Sequence, residues 1–120
     1  MLVACAYAGV FGLITLGSGL VEAKRRQVER AGLSARCVAI EPTGTGVLDG
    51  VGAAIDLEPY LRAGRAALER GAEALVLGCA GMVNVCDGLS EALNVPVIEP
   101  VASTCLVAAS TLASAPDSGA

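Results

Sequence analysis

The sequence predicts an α/β fold, a four-stranded parallel sheet with helices on both faces. Three observations carry that expectation. Short apolar runs alternate four times with longer helical segments, the order of strand–helix–strand units joined by right-handed crossovers. The strand runs are apolar throughout rather than alternating, as in strands covered on both faces. The composition is also small and aliphatic. It is 54% hydrophobic, with no Trp, two Tyr, one Phe and 15 Gly, so helices can lie close to a sheet. A chain of 120 residues has room for one domain.

Taken in order, residues 10–16 are an apolar run ended by Gly17-Ser18-Gly19, a strand followed by a loop. Residues 20–31 place Leu20, Val21, Val28 and Ala31 among charges, with Gly32 at a helix C-cap position. Residues 36–40 form a second strand, stopped by Glu41-Pro42. Residues 43–56, rich in Gly, Thr and Asp, read as a long loop. Residues 57–70 are an amphipathic helix with Pro59 in its first turn; Leu61, Gly64, Ala66 and Leu68 face inward and Gly71 ends it. Residues 74–77 are the third strand, 83–93 the third helix with Asn94 as its C′ residue, 95–98 the fourth strand and 101–113 an apolar fourth helix. Residues 1–113 make the single lobe, and 114–120 a small, polar, disordered tail.

Charge and residue usage exclude several functions. A net charge of −4 argues against nucleic acid as a partner. Positive charge clusters only at Lys24-Arg25-Arg26, flanked by Glu22 and Glu29. Residues 1–21 carry no charge, which superficially suggests a membrane anchor, but no basic stretch precedes them and Gly9, Gly12, Gly17 and Gly19 interrupt them. A buried strand and a glycine loop account for the same residues, so no membrane partner is expected. Five cysteines without a CxxC, in a chain lacking secretory features, read as reduced thiols in a cytoplasmic protein. With no His, metal-ligand spacing and every Ser-His-Asp or Cys-His mechanism drop out. Neither metal nor cofactor is expected.

Ligands of parallel sheets bind at the carboxyl ends of the strands, where residues 15–19, 41–46 and 78–82 converge. Cys79 follows the third strand directly and precedes a helix, a position that favours a thiolate. Gly78 and Gly81 let the backbone close around the sulfur and around a ligand. Cys79 can equally be a small buried hydrophobe; Cys37, Cys86 and Cys105 read as core thiols. Thr43-Gly44-Thr45-Gly46 lacks the spacing and the lysine of a phosphate loop, so it is a substrate-contacting loop or a plain crossover. Thr15 offers a hydroxyl to the same edge.

Residues 71–82 (GAEALVLGCAGM) followed by 94–102 (NVPVIEPVA) closely resemble the C-terminal half of the hydantoin racemase group within the aspartate/glutamate racemase superfamily. Residues 11–33 and 43–49 are similar to the preceding strand, helix and loop of that family. The resemblance implies one racemase-like lobe of a two-lobed, cofactor-independent enzyme acting on a small molecule such as a hydantoin, allantoin or another amino-acid derivative. In that family one cysteine from each lobe works on opposite faces of the stereogenic carbon. The resemblance makes Cys79 the second-lobe thiol and Thr15 a substrate-side hydroxyl. It also places backbone N–H groups of Ala80, Gly81 and Met82 around a substrate carbonyl or carboxylate, to which the loop readings above add Gly78 and Thr43. The first-lobe cysteine has no counterpart, because Cys5 lies too close to the first strand. The chain is therefore read as one lobe with a returning helix, 101–113, that must pack on its own sheet or on a second subunit of a homo-oligomer. The alternative is a non-catalytic lobe that serves as a binding or interaction module.

Overall fold

The computed structural model describes residues 1–50 and 55–114. Its sheet contains β1 (Phe11–Thr15), β2 (Cys37–Pro42), β3 (Ala74–Leu77) and β4 (Val97–Ile98), all parallel, in the order β2-β1-β3-β4. Around it lie α1 (Ala4–Tyr7), α2 (Val21–Arg30), α3 (Glu58–Glu69), α4 (Cys86–Leu93) and α5 (Pro100–Ala113). The α/β architecture and the parallel sheet are as the sequence predicts.

β1 and β3 are central, and every residue in both is buried. Side chains alternate between the two faces of the sheet. Ile14, Leu75 and Leu77 meet Tyr60, Ala63 and Ala67 of α3 and Leu89 of α4 on one face. Phe11, Ala74, Val76 and Ile98 meet Ala4 of α1 on the other. α2 lies on this second face, where Lys24 and Gln27 border the same crevice as Leu13, Val76 and Ile98. Small residues set the layer spacing: a Cβ on Gly12 would sit 2.6 Å from the Ala67 Cβ.

Several boundaries differ from expectation for physical reasons. β2 runs through Pro42 instead of stopping at Glu41, because β2 is an edge strand and the missing proline N–H faces no partner strand. The third helix does not start at Val83. Residues Ala80–Val85 form a 3₁₀ turn, whose three-residue repeat sends both Met82 and Val85 into the core. The loop after β2 contains a short 3₁₀ turn at Val47–Gly50, and its residues 51–54 fall outside the described ones. The four residues of α1 form a helical turn that the sequence did not reveal. Arg36 holds it by donating to the carbonyls of Ala8, at 2.9 Å, and Gly9. Gly32 at φ 70° and Asn94 at φ 52° end their helices in left-handed conformations, as their C-cap roles require.

The helix expected at residues 101–113 is α5. It forms over the expected span, with the Glu99 carboxylate accepting from the N–H groups of Val101 and Ala102. It contains no buried residue, so it does not pack as a core helix on its own sheet. Cys105, expected in the core, is exposed on it. The proposed tail beyond Ser114 falls outside the described residues. Among the described residues, no helix is long and apolar enough to cross a membrane.

Candidate functional site

The strand order reverses direction between β1 and β3: one crossover leads outward to β2, the next returns past β1 to β3. Loops leaving the two strands therefore part to opposite sides, and the crevice between them is the ligand position in open parallel sheets. Thr15 ends β1 on one side of this crevice, and Gly78-Cys79 leave β3 on the other. Ile14 pairs with Leu77, which sets Thr15 level with Gly78. The Gly78 N–H donates to the Ile14 carbonyl at 2.8 Å, continuing the ladder one residue past β3.

That close approach dictates the residue. A Cβ on Gly78 would lie 2.8 Å from the Ile14 carbonyl oxygen, a backbone atom that can yield only if β1 and β3 separate. Gly78→Ala is therefore expected to lower stability by about 1–3 kcal/mol. At Gly81 an added Cβ meets nothing nearer than Cys79 Sγ at 3.7 Å, so Gly81→Ala is expected to stay within about 0.5 kcal/mol of wild type. Urea denaturation midpoints of the two variants, measured side by side, check the contrast.

Cys79 is half-buried at the start of the 3₁₀ turn, with extended backbone at φ −143°, ψ 138°. The Cys79 carbonyl accepts from the Met82 N–H at 3.1 Å, closing the first turn. Ala80 and Gly81 precede that bond, so their N–H groups are the orphan donors at the start of the turn, and both residues are exposed. Met82 is placed differently: its N–H is occupied and its side chain is 1% exposed, in the core with Ile14, Tyr60 and Leu77.

Thr15, Gly78 and Cys79 line one open cavity of about 560 Å³, with Leu20, Lys24 and Arg30 of the α2 side. Thr43 does not reach it. Its hydroxyl donates to the Leu16 carbonyl at 3.1 Å and pairs with Thr45 Oγ1 at 2.7 Å, while its N–H bonds the Thr15 carbonyl. Thr43 thus ties the loop after β2 to the end of β1. Lys24, which the sequence marks only as part of a charge cluster, is at the site: Nζ donates to the Gly78 carbonyl at 2.7 Å.

A larger cleft, about 660 Å³, lies between α4, β4 and α5, and its one thiol is Cys86. Cys86 Sγ donates to the Val97 carbonyl at 3.4 Å. Burial pushes its pKa up, and the charges of Asp87 and Glu99 push the same way, so it stays protonated and makes a poor base. Cys37 is raised too, chiefly by burial, against the hydrogen bond to Ala39 and the charge of Arg25. Both groups tie stability to alkaline pH. Below the ordinary thiol range of about 8.5 they are protonated folded and unfolded alike. Above it the unfolded chain releases protons that the folded chain retains, so stability falls as pH rises. A Cys37→Ala/Cys86→Ala variant is expected to lose less stability than wild type between pH 7.5 and 10 in urea titrations.

Among the described residues, no three His, Cys, Asp or Glu side chains come together as a metal site. The fold has solved counterparts. An allantoin racemase from Pseudomonas fluorescens superposes with a TM-score of 0.77 at 25% identity, over 92% of this chain and 48% of that one. An allantoin racemase from Klebsiella pneumoniae gives 0.69 at 30% identity, over 79% and 41%. In sequence, a hydantoin racemase of Paenarthrobacter aurescens is 37% identical over an alignment of 110 residues that covers 88% of this chain and 46% of that protein. The chain thus spans less than half the length of these relatives. Residues 1–108 match the family model for Asp/Glu/hydantoin racemases, and the chain belongs to that family.

Proposed function

We propose that this chain forms one wall of a cofactor-independent racemase acting on hydantoin- or allantoin-type amino-acid derivatives, with Cys79 as its acid–base thiol. The observation that carries the reading is the meeting of Cys79, Thr15 and unpartnered backbone donors at the point where the strand order reverses, in a chain of this family. The Cys79 thiolate removes the proton from the stereogenic carbon. The electron pair left there delocalises onto the adjacent carbonyl oxygen, and the Ala80 and Gly81 N–H groups stabilise that oxyanion. Thr15 adds a hydroxyl on the β1 side.

Reprotonation decides the outcome. A single thiol returns a proton to the face it came from, so this wall alone exchanges the substrate proton with solvent without inverting the centre. Inversion needs an acid on the opposite face, supplied by a second wall. The test is therefore solvent exchange: an enantiopure 5-substituted hydantoin in D₂O, followed by loss of its C5 proton signal. Exchange above the buffer rate supports the reading. A rate equal to buffer at high protein concentration overturns it for this chain.

One observation favours a second reading, an interaction module. Leu106, Val107 and Leu112 of α5 are 58%, 55% and 77% exposed, an apolar surface suited to a protein partner.

A further inference from the structure

We infer that the cavity in front of Cys79 is an anion site, built by α2 and suited to a ligand presenting a carboxylate or a deprotonated ring amide. The chain carries a net charge of −4, yet four of its eight basic residues, Lys24, Arg25, Arg26 and Arg30, fall in the single helix α2. Residues 20, 23, 24, 27 and 30 recur at three- and four-residue intervals and so share one helix face. That face, joined by Arg26, lines the cavity with Thr15, Gly78 and Cys79, and among the described residues neither Asp nor Glu lines it.

The charges are not all neutralised locally. Glu22 pairs with Arg25 at 3.5 Å and Arg26 at 3.7 Å, sharing one carboxylate between two exposed guanidinium groups. Lys24 and Arg30 have no ion-pair partner among the described residues. Lys24 is also held in place. Its ammonium donates to the Gly78 carbonyl at 2.7 Å and to Gln27 Oε1 at 3.3 Å. Those contacts occupy two of three donors and leave the third for a ligand. A fixed cation thus sits on the carbonyl of the residue immediately before Cys79. Screening confines its influence to within about 8 Å at physiological salt, which is the scale of the cavity.

The inference rests on Cys79 as the thiol of this cavity and adds the charge of what enters. It is tested without turnover, by alkylating the protein with iodoacetate or iodoacetamide. In both reactions the thiolate attacks the methylene carbon, a C–S bond forms, and the C–I bond breaks with its electron pair leaving on iodide. The reagents are close in size and differ in carrying a carboxylate or a neutral amide. Peptide-resolved mass spectrometry gives the iodoacetate-to-iodoacetamide rate ratio at Cys79, normalised to the exposed Cys105 of the same molecule.

The expected ratio at low salt is about fivefold higher at Cys79, the factor a single cation at contact distance gives in water. It should fall towards one in Lys24→Met, in Arg30→Gln and in wild type at high salt, while Lys24→Arg keeps most of it. Arg30 is exposed, so its variant reports even if Lys24→Met folds poorly. A normalised ratio near one in wild type, or one unmoved by both substitutions, overturns the inference. Because exchange at C5 is read separately, an anion-selective Cys79 that exchanges no proton would sink the catalytic reading and leave the anion site standing.

Discussion

Met82→Ala is expected to lose about 2–5 kcal/mol of stability, a large share of what a domain of this size possesses. The side chain is 1% exposed and belongs to the core shared by Ile14, Tyr60 and Leu77, on the face of the sheet that α3 and α4 cover. Removing three heavy atoms there leaves a cavity that the surrounding core closes only in part. Met82→Leu keeps the volume and should lose less than about 1.5 kcal/mol. Urea midpoints with an unchanged m-value are the measurement. The family resemblance gives the substrate only the Met82 backbone, which an alanine keeps, so a near-normal midpoint with weakened ligand binding would assign the side chain itself to the substrate. That result would show that the side chain leaves the core when ligand binds. The expected loss means that Met82 serves the site by anchoring the turn that presents Cys79.

What could be read in advance follows from how each element is held. β1 and β3 are buried on both faces, so residues 11–14 and 74–77 carry no polar side chain and do not alternate, a pattern legible in the sequence alone. The amphipathic α3 is legible from its helical spacing, although of Leu61, Gly64, Ala66 and Leu68 only Gly64 is fully buried, together with Tyr60, Ala63 and Ala67. Hydropathy records what a segment could bury, not whether a surface is there to receive it. That is why Cys105 read as a core thiol, although it lies exposed on α5. Boundaries moved where one hydrogen bond decides them, as at Pro42 and in the 3₁₀ turn that replaces the start of the third helix.

The site divides along the same line. Cys79, Gly78 and Thr15 sit at strand ends, and in a parallel sheet strand ends share an edge, so sequence order alone brings them together. Thr43 sits at an equivalent strand end, but its hydroxyl turns back to the Leu16 carbonyl, a choice made by local loop geometry. Lys24 was hidden for the opposite reason. Adjacent letters drew attention to the cluster 24–26, whereas the helix groups Lys24 with Gln27 and Arg30 on the cavity side. Three- and four-residue spacing from Leu20 was the available signal.

Cys79→Ser is expected to slow solvent exchange at the substrate's stereogenic carbon by about 10²–10⁴-fold, the range a positioned acid–base group contributes. Serine keeps the size and the hydrogen-bonding capacity of cysteine, so the half-buried position should retain stability within about 1 kcal/mol and the loss can be assigned to chemistry. What changes is acidity. A hydroxyl is a far weaker acid than a thiol, so the substitution removes the base. Cys86→Ser is the internal comparison. That thiol donates to the Val97 carbonyl and is held protonated by burial, so its removal should leave exchange near the wild-type rate. Equal losses in both variants would point to a general loosening of the turn between β3 and α4. An unchanged rate in Cys79→Ser would remove Cys79 from the reaction altogether. The stereochemical readout adds the last discrimination. Exchange that retains configuration identifies Cys79 as one base working from one side, and exchange with inversion requires a second proton donor facing it across the cleft.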